Sequence, residues 1–264
     1  MRDQISDSDI ASYHRDGYFV REALLDAAEL EEWRSVVDEA VAKRTGHDQR
    51  TLADKSDREK VFKQVMNLWK DNPGVKKLML DERLGRMAAK LAGIDGIRIF
   101  HDQALFKEAD GRPTVWHQDL SYWSFTHRAA ISIWVALDDA TAENGCLSYM
   151  PGSQNTERAA SVDLAKDHDI RKQVPQLRSL PSVQIPVRAG SAIWHNGLTY
   201  HSAGPNRTQH TRRAMTCAYM PDGAVYNGHY HGILGDFKPN EGDPLDRDNV
   251  LPLIYSENRV ATTI

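Results

Sequence analysis

The sequence predicts a mainly β domain, a sandwich or barrel, carried behind a helical N-terminal part. Three observations predict it. Apolar residues recur at helical spacing only before about residue 96, short β-rich runs follow, and turn residues separate those runs. The chain of 264 residues is 41% hydrophobic and 27% charged, an ordinary globular balance with ample material for a core.

The elements follow in order. In LLDAAELEEWRSVVDEAVAKR, Leu30, Trp33, Val37, Ala40 and Val41 recur at helical spacing behind Asp26, a good N-cap. The polar stretch from Lys43 to Lys60 reads as a surface loop. A further helix begins near Pro73, runs through Leu78, Leu84, Met87 and Leu91, and ends at Gly93. The β-rich runs are IRIFHDQALFK, TVWHQDLSYW, AAISIWVALDDA, CLSYM, SVQIPV, SAIWHNG and RRAMTCAYM. In the third, Ile131, Ile133, Val135 and Leu137 alternate with Ser132, Trp134 and Ala136, which is period two. Val183, Ile185 and Val187 repeat the signal before a turn at Ala189-Gly190. The charged stretch from Gln154 to Pro181 reads as an insertion carrying a short helix. The organisation expected is one domain over 1–264: a helical part (1–95), a β core (96–222) with the insertion at about 154–181, and a tail (223–264).

Composition excludes several classes. The formal net charge of −4 offers no broad basic footprint for nucleic acid. No apolar run approaches the roughly 18 residues that span a bilayer. The opening MRDQISDSDIASY is polar and acidic, unlike a secretory signal. Cys146 and Cys217 lack partners at zinc-finger spacing and read as reduced core thiols. The expectation is a soluble cytoplasmic protein with neither a nucleic-acid nor a membrane partner. Nothing in the sequence decides its oligomeric state. Eleven histidines invite a search for ligand geometry.

His117 and Asp119 stand at i and i+2 in VWHQDLSYW, on a predicted strand. Strand geometry turns both side chains to one face and Gln118 to the other. With one more histidine from a distant strand they would form a two-His-one-carboxylate face. Such a face suits Fe(II) and leaves positions open for substrates and oxygen. The pair alone does not decide the matter. His201 is the candidate third ligand, in TYHSAGPNRTQHTRRAM, ahead of a turn (Ala203-Gly204-Pro205-Asn206) and a basic pair, Arg212 and Arg213.

Here the sequence resembles the phytanoyl-CoA dioxygenase family of iron and 2-oxoglutarate oxygenases. The matching pieces are HDQALFK, WHQDLSYW, ENGCLSYMPGSQ and HNGLTYHSAGPNRTQHTRRAM, in the family's order, over about residues 97 to 220. The N-terminal YHRDGYFVREALL is similar to the family's opening. The resemblance implies a double-stranded β-helix, the cupin-like jelly roll, with helices packed outside. It implies Fe(II) held by His117, Asp119 and His201, with 2-oxoglutarate and O₂ as cosubstrates. The family's 2-oxoglutarate-binding arginine lands on Arg212. Strand parity agrees: Arg212 shares a face with the small Ala214, Thr216 and Ala218, while Arg213 shares one with Met215, Cys217 and Tyr219.

Other positions are softer. Gln103 and Lys107 fall where the family often contacts the cosubstrate, although Lys107 also fits a solvated strand end. Trp134 and Ser148 are candidates to face the barrel interior. Tyr122 and Trp123 either line the substrate mouth or pack at its rim. His195 matches a family position that commonly holds a histidine without ligating. His229 and His231, in NGHYHGIL, read as loop or surface residues, and His101 as a hydrogen-bonded strand residue.

The implied activity is hydroxylation of an unactivated C–H of a small-molecule metabolite, with release of succinate and CO₂. The carboxylate of Asp119 argues against halogenation, since related halogenases carry a small residue in that place. A cupin-type metalloenzyme that does not use 2-oxoglutarate is one alternative, opposed by Arg212. A catalytically silent jelly-roll binding module is another, opposed by the full set of ligands. Lids are expected in 43–62, 155–180 and the tail after Asp222. In 155–180, Arg158, Lys166, Arg171 and Lys172 stand beside Asp163, Asp167 and Asp169, which favours a small polar or anionic substrate over a long lipid.

Overall fold

Local sequence decides where each helix starts and stops in the computed structural model, which describes residues 1–46, 48 and 50–258. Residues 47 and 49 of the expected 43–62 lid and residues 259–264 of the tail lie outside the described residues. Helix α1 (Asp7–Asp16) opens on a capping box between Ser6 and Asp9. Helix α2 (Ala27–Thr45) opens on the same device, Asp26 with Glu29, and buries Trp33, Val37, Ala40 and Val41. It runs through Lys43–Thr45, so the loop begins a few residues later than expected. The single helix expected after Pro73 is two, α3 (Pro73–Met79) and α4 (Glu82–Ala92). Asp81 breaks them apart because its carboxylate accepts the Arg83 N–H at 2.9 Å and restarts the helix. Gly93, at φ +67°, ends α4 as expected.

The first 95 residues also hold two strands that helical periodicity hides, β1 (Tyr18–Arg21) and β2 (Lys63–Met66). The core supplies β3 (Gly96–Lys107), β4 (Thr114–His117), β5 (Ile131–Ala136) and β6 (Leu147–Tyr149). A short helix α5 (Ile170–Gln173) follows, then β7 (Val183–Ile185), β8 (Ala192–Asn196), β9 (His201–Ala203) and β10 (Arg212–Pro221). The tail returns one more strand, β11 (Leu253–Ser256). The strands form two antiparallel sheets of a jelly roll. One runs β1-β8-β5-β10-β3-β11, with β2 also on β3, and the other runs β4-β9-β6-β7.

Both faces of β5 are buried, for different reasons. Ile131, Ile133 and Val135 join Met215, Cys217 and Tyr219 of β10 in a core closed by Trp33, Leu84 and Met87 of the outer helices. Burying Leu84 or Met87 is worth roughly 1.5–3 kcal/mol each. The alternate residues face the space between the sheets. Register aligns them in rows across the larger sheet. His195, Ser132, Ala218 and His101 make one row, and Trp134, Thr216, Gln103 and Met66 the next. Arg212 stands opposite Lys107 at the far end.

Gly145 brings the turn before β6 against that far end. At φ +84°, its missing Cβ would lie 2.4 Å from the Gly204 carbonyl oxygen and 2.9 Å from Lys107 Cδ. Gly145→Ala therefore meets both a left-handed backbone and a backbone clash. It should lose about 1–3 kcal/mol in denaturant unfolding; an unchanged midpoint would mean that this approach is not needed.

Candidate metal centre

His117 ends β4, the extended Gln118 follows, and Asp119 begins a 3₁₀ turn through Tyr122. The expected strand thus stops two residues early, because the chain bends to bring Asp119 over the larger sheet. Gln118 turns away, as parity requires. Its amide donates to the Leu198 carbonyl at 2.7 Å and its oxygen accepts the Ala159 N–H at 2.9 Å. His201 opens β9, paired with His117 in register.

The three side chains converge. Nδ1–H of His117 donates to the Val115 carbonyl at 2.8 Å, and Nδ1–H of His201 donates to the Thr199 carbonyl at 3.0 Å. Each bond puts the ring proton on Nδ1 and leaves Nε2 with a free lone pair. Those Nε2 atoms stand 3.7 and 3.6 Å from Asp119 Oδ1. One ligand atom from each residue lies within 4.8 Å of the others. The other carboxylate oxygen is occupied: Oδ2 accepts from Ser132 Oγ at 3.0 Å and from His195 Nε2 at 3.1 Å. Tyr149 OH holds the far nitrogen of His195 at 3.0 Å. Burial opposes the ionisation of Asp119, yet the surrounding imidazoles, His201 foremost, hold its carboxyl well below the usual range. Burial, then the neighbouring His117, pushes His201 down to about 3. Two neutral imidazoles and one carboxylate are a donor set that fits Fe(II) with open positions.

A cavity of about 270 Å³ between the sheets reaches this triad. Arg212, Gln103 and Trp134 line it. Arg212 is 3% exposed, with its guanidinium carbon 5.1 Å from the Trp134 ring centroid. Its Nε and Nη1 have no hydrogen-bond partner among the described residues, and burial lowers its pKa to about 10. An unpaired buried guanidinium is costly unless an anion completes it. Arg213, on the opposite face, is bound by Asp138 at 2.7 Å and by Asp38.

Two expected pocket residues lie elsewhere. Lys107 is neither a solvated strand end nor a cavity residue. It is fully buried, donates to the Val61 and Arg112 carbonyls at 3.0 and 2.6 Å, and is pushed down by burial to about 7. Ser148 sits between Ser202 and Gln184 on its sheet and is not among the lining residues; Leu147 of the same strand is. Tyr122 and Trp123 both line the cavity, and Trp123 also packs on Phe100 and Phe125. His101 is a strand residue, but its Nδ1 has no partner among the described residues. His229 and His231 come from a loop, as expected, and that loop borders the cavity mouth. The grip of Ser132 and Tyr149 on the carboxylate system escaped sequence reasoning, although parity put Ser132 on the Trp134 face.

A profile of the phytanoyl-CoA dioxygenase family matches residues 13–214. A Caenorhabditis elegans protein described as a phytanoyl-CoA dioxygenase domain-containing protein 1 homolog is 31% identical over 96 residues, 33% of each chain. The chain thus spans about a third of the length of the first curated relatives it matches. Among solved structures, the non-heme alpha-ketoglutarate-dependent carbocyclase SnoK of nogalamycin biosynthesis aligns with a TM-score of 0.81 at 27% identity, covering 95% of this chain and 96% of its own. The epimerase SnoN, solved with Fe³⁺, alpha-ketoglutarate and nogalamycin RO, gives 0.77 at 28% identity, with 94% and 98% covered. No helix among the described residues is long and apolar enough to cross a membrane.

The grip on Oδ2 generates a prediction. His195→Ala should weaken Fe(II) binding by roughly 10–100-fold without abolishing it. Equilibrium titration of the metal-free protein measures this, and an unchanged affinity would strip His195 of its positioning role.

Proposed function

Because the chain belongs to the phytanoyl-CoA dioxygenase family, we propose that it is an Fe(II)- and 2-oxoglutarate-dependent dioxygenase in which His117, Asp119 and His201 hold the iron. The observation that carries this reading is the convergence of the two Nε2 lone pairs and Asp119 Oδ1 at a cavity that the buried guanidinium of Arg212 also lines. Bound Fe(II) supplies O₂ activation, coupled to oxidative decarboxylation of 2-oxoglutarate to succinate and CO₂ and to oxidation of a substrate C–H.

The chain's own residues divide the remaining work. Ser132 and His195 occupy Oδ2, so Asp119 offers a single oxygen to the metal. The carboxylate fills the position that a halide would need, so hydroxylation, or a variant such as desaturation or ring closure, is the expected outcome rather than halogenation. Arg212 receives the distal carboxylate of 2-oxoglutarate with a forked, permanently charged group. Trp134 holds that group in place from one face. Phe62 and Leu164 close apolar surface over the mouth and exclude water. The substrate is read as a small-molecule metabolite, polar or anionic rather than a long lipid. A single domain over 1–264 acting in the cytoplasm belongs to the same reading.

Anaerobic addition of Fe(II) and then 2-oxoglutarate tests it. The weak visible absorption of a keto acid bound to Fe(II) should appear and saturate near one equivalent. Iron binding with no such band would favour a cupin-type enzyme that does not use 2-oxoglutarate. His117→Ala and His201→Ala should each abolish iron-dependent succinate release, and turnover in either would remove that residue from the site. Arg212→Ala should raise the 2-oxoglutarate requirement at least tenfold and leave iron binding intact. Arg213→Ala should instead lower stability; a raised 2-oxoglutarate requirement there would reverse the two roles.

A further inference from the structure

The cavity has a second polar end. Arg212 begins β10 and Ala218 lies six residues along it, roughly 20 Å away by strand rise. His101 pairs with Ala218, so it stands far from Arg212 and in the row that holds Ser132 and His195. The His231 ring lies nearly parallel to it, centroids 5.7 Å apart at 18°. His231 and Arg58 line the same cavity.

Hydrogen bonding sets what these rings present. His231 Nδ1 accepts the Ile233 N–H at 3.2 Å, which places the ring proton on Nε2. His101 is 4% exposed and its Nδ1 has no partner among the described residues. An unmet acceptor is tolerated better than an unmet N–H, so its proton also belongs on Nε2. Burial foremost, then His231, pushes His101 down to about 3, so this ring is a neutral donor at physiological pH. Arg58 meets only the Gln64 side-chain oxygen, at 3.1 Å, and among the described residues it has no carboxylate partner. Asp119 is the one acidic side chain among the described residues lining the cavity, and the triad already engages it. In a chain of net charge −4, a guanidinium at the cavity wall with no ion-pair partner among the described residues focuses field for an anion, though Asp163, outside the lining, shares part of that field.

We propose that His101, His231 and Arg58 form a subsite for an anionic oxygen group of the substrate, a carboxylate or a phosphonate. The term substrate rests on the dioxygenase reading above. Two strand spacings, about 10 Å, separate His101 across the sheet from Ser132, whose hydroxyl holds Asp119. An anion held at His101 therefore faces the triad across the cavity, with Trp123 and Met66 as apolar walls. The class expected is a short organic acid or phosphonate.

Calorimetric titration of the protein, with Fe(II) and 2-oxoglutarate present anaerobically and again without them, tests the subsite. The probes are acetate, methylphosphonate and the neutral dimethyl methylphosphonate. At least one anion should bind saturably and ten or more times tighter than the ester, and the preferred anion names the group. Arg58→Ala and His231→Asn should each weaken that anion at least tenfold, while Arg212→Ala leaves it unchanged in the titration without Fe(II) and 2-oxoglutarate. His231→Asn keeps an acceptor for the Ile233 N–H, so its effect is not a folding defect. No saturable anion binding, equal binding of the ester, or a loss seen only in Arg212→Ala would overturn the proposal. A missing Fe(II)–2-oxoglutarate band in the unaltered protein would sink the dioxygenase reading separately, since the titration without metal stands alone.

Discussion

The register of β10 between β3 and β5 sets the height of every inward side chain in the cavity. β10 pairs along ten residues with β3 and along six with β5. A slip by one residue would exchange its two faces. It would send Arg213 into the cavity and drive Met215, Cys217 and Tyr219 out of the core. The ion pairs of Arg213 with Asp138 and Asp38 oppose that slip from outside, and the apolar face opposes it from within. The neighbouring Arg212 is therefore held inward by interactions that it does not itself make.

The carboxylate of Asp119 is held by a different logic. Taking it out of water is unfavourable, and only hydrogen bonds and polar neighbours offset that. Ser132 and His195 supply them from the larger sheet, and Tyr149 supplies the partner of His195 from the smaller one. The triad is thus a joint between the sheets as much as a ligand set. Gln118 adds a second tie, joining the turn before β9 to the insertion at Ala159.

Much of this was legible before any coordinates. Period two exposed β5, and a two-residue offset exposed the His117–Asp119 pair; His201 and Arg212 followed from the family resemblance, with strand parity agreeing on the inward placement of Arg212. The missed strands β1, β2, β9 and β11 are three or four residues long; β4, β6 and β7 are as short, and were legible only because each sits inside a longer β-rich run. Asp119 was legible as a partner of His117, while its seat on a turn was not, because the turn depends on contacts from Leu198 and Ala159. Lys107 misled for a related reason. A lysine at a strand end reads as solvated, and only the tertiary approach of Val61 and Arg112 supplies the carbonyls that bury it. His229 and His231 carried a visible spacing signal, but no local pattern tells that their loop folds back against His101.

The turn that seats Asp119 also touches the insertion that lines the cavity. Tyr122 ends it, and its hydroxyl both donates to the Val162 carbonyl at 2.7 Å and accepts the Val162 N–H at 3.1 Å. Val162 belongs to the insertion, whose Leu164 meets Val61 and Phe62 from the segment just before β2. The turn that places the carboxylate is thus tied to the part of the cavity wall that Phe62 and Leu164 line. Water excluded there strengthens every charge interaction inside. The two arginines of the cavity differ accordingly. Arg212 is buried on a rigid strand and suits a ligand that is the same in every turnover. Arg58 is exposed on the loop before β2 and, in the subsite proposed above, suits the ligand by which one enzyme of this architecture differs from another.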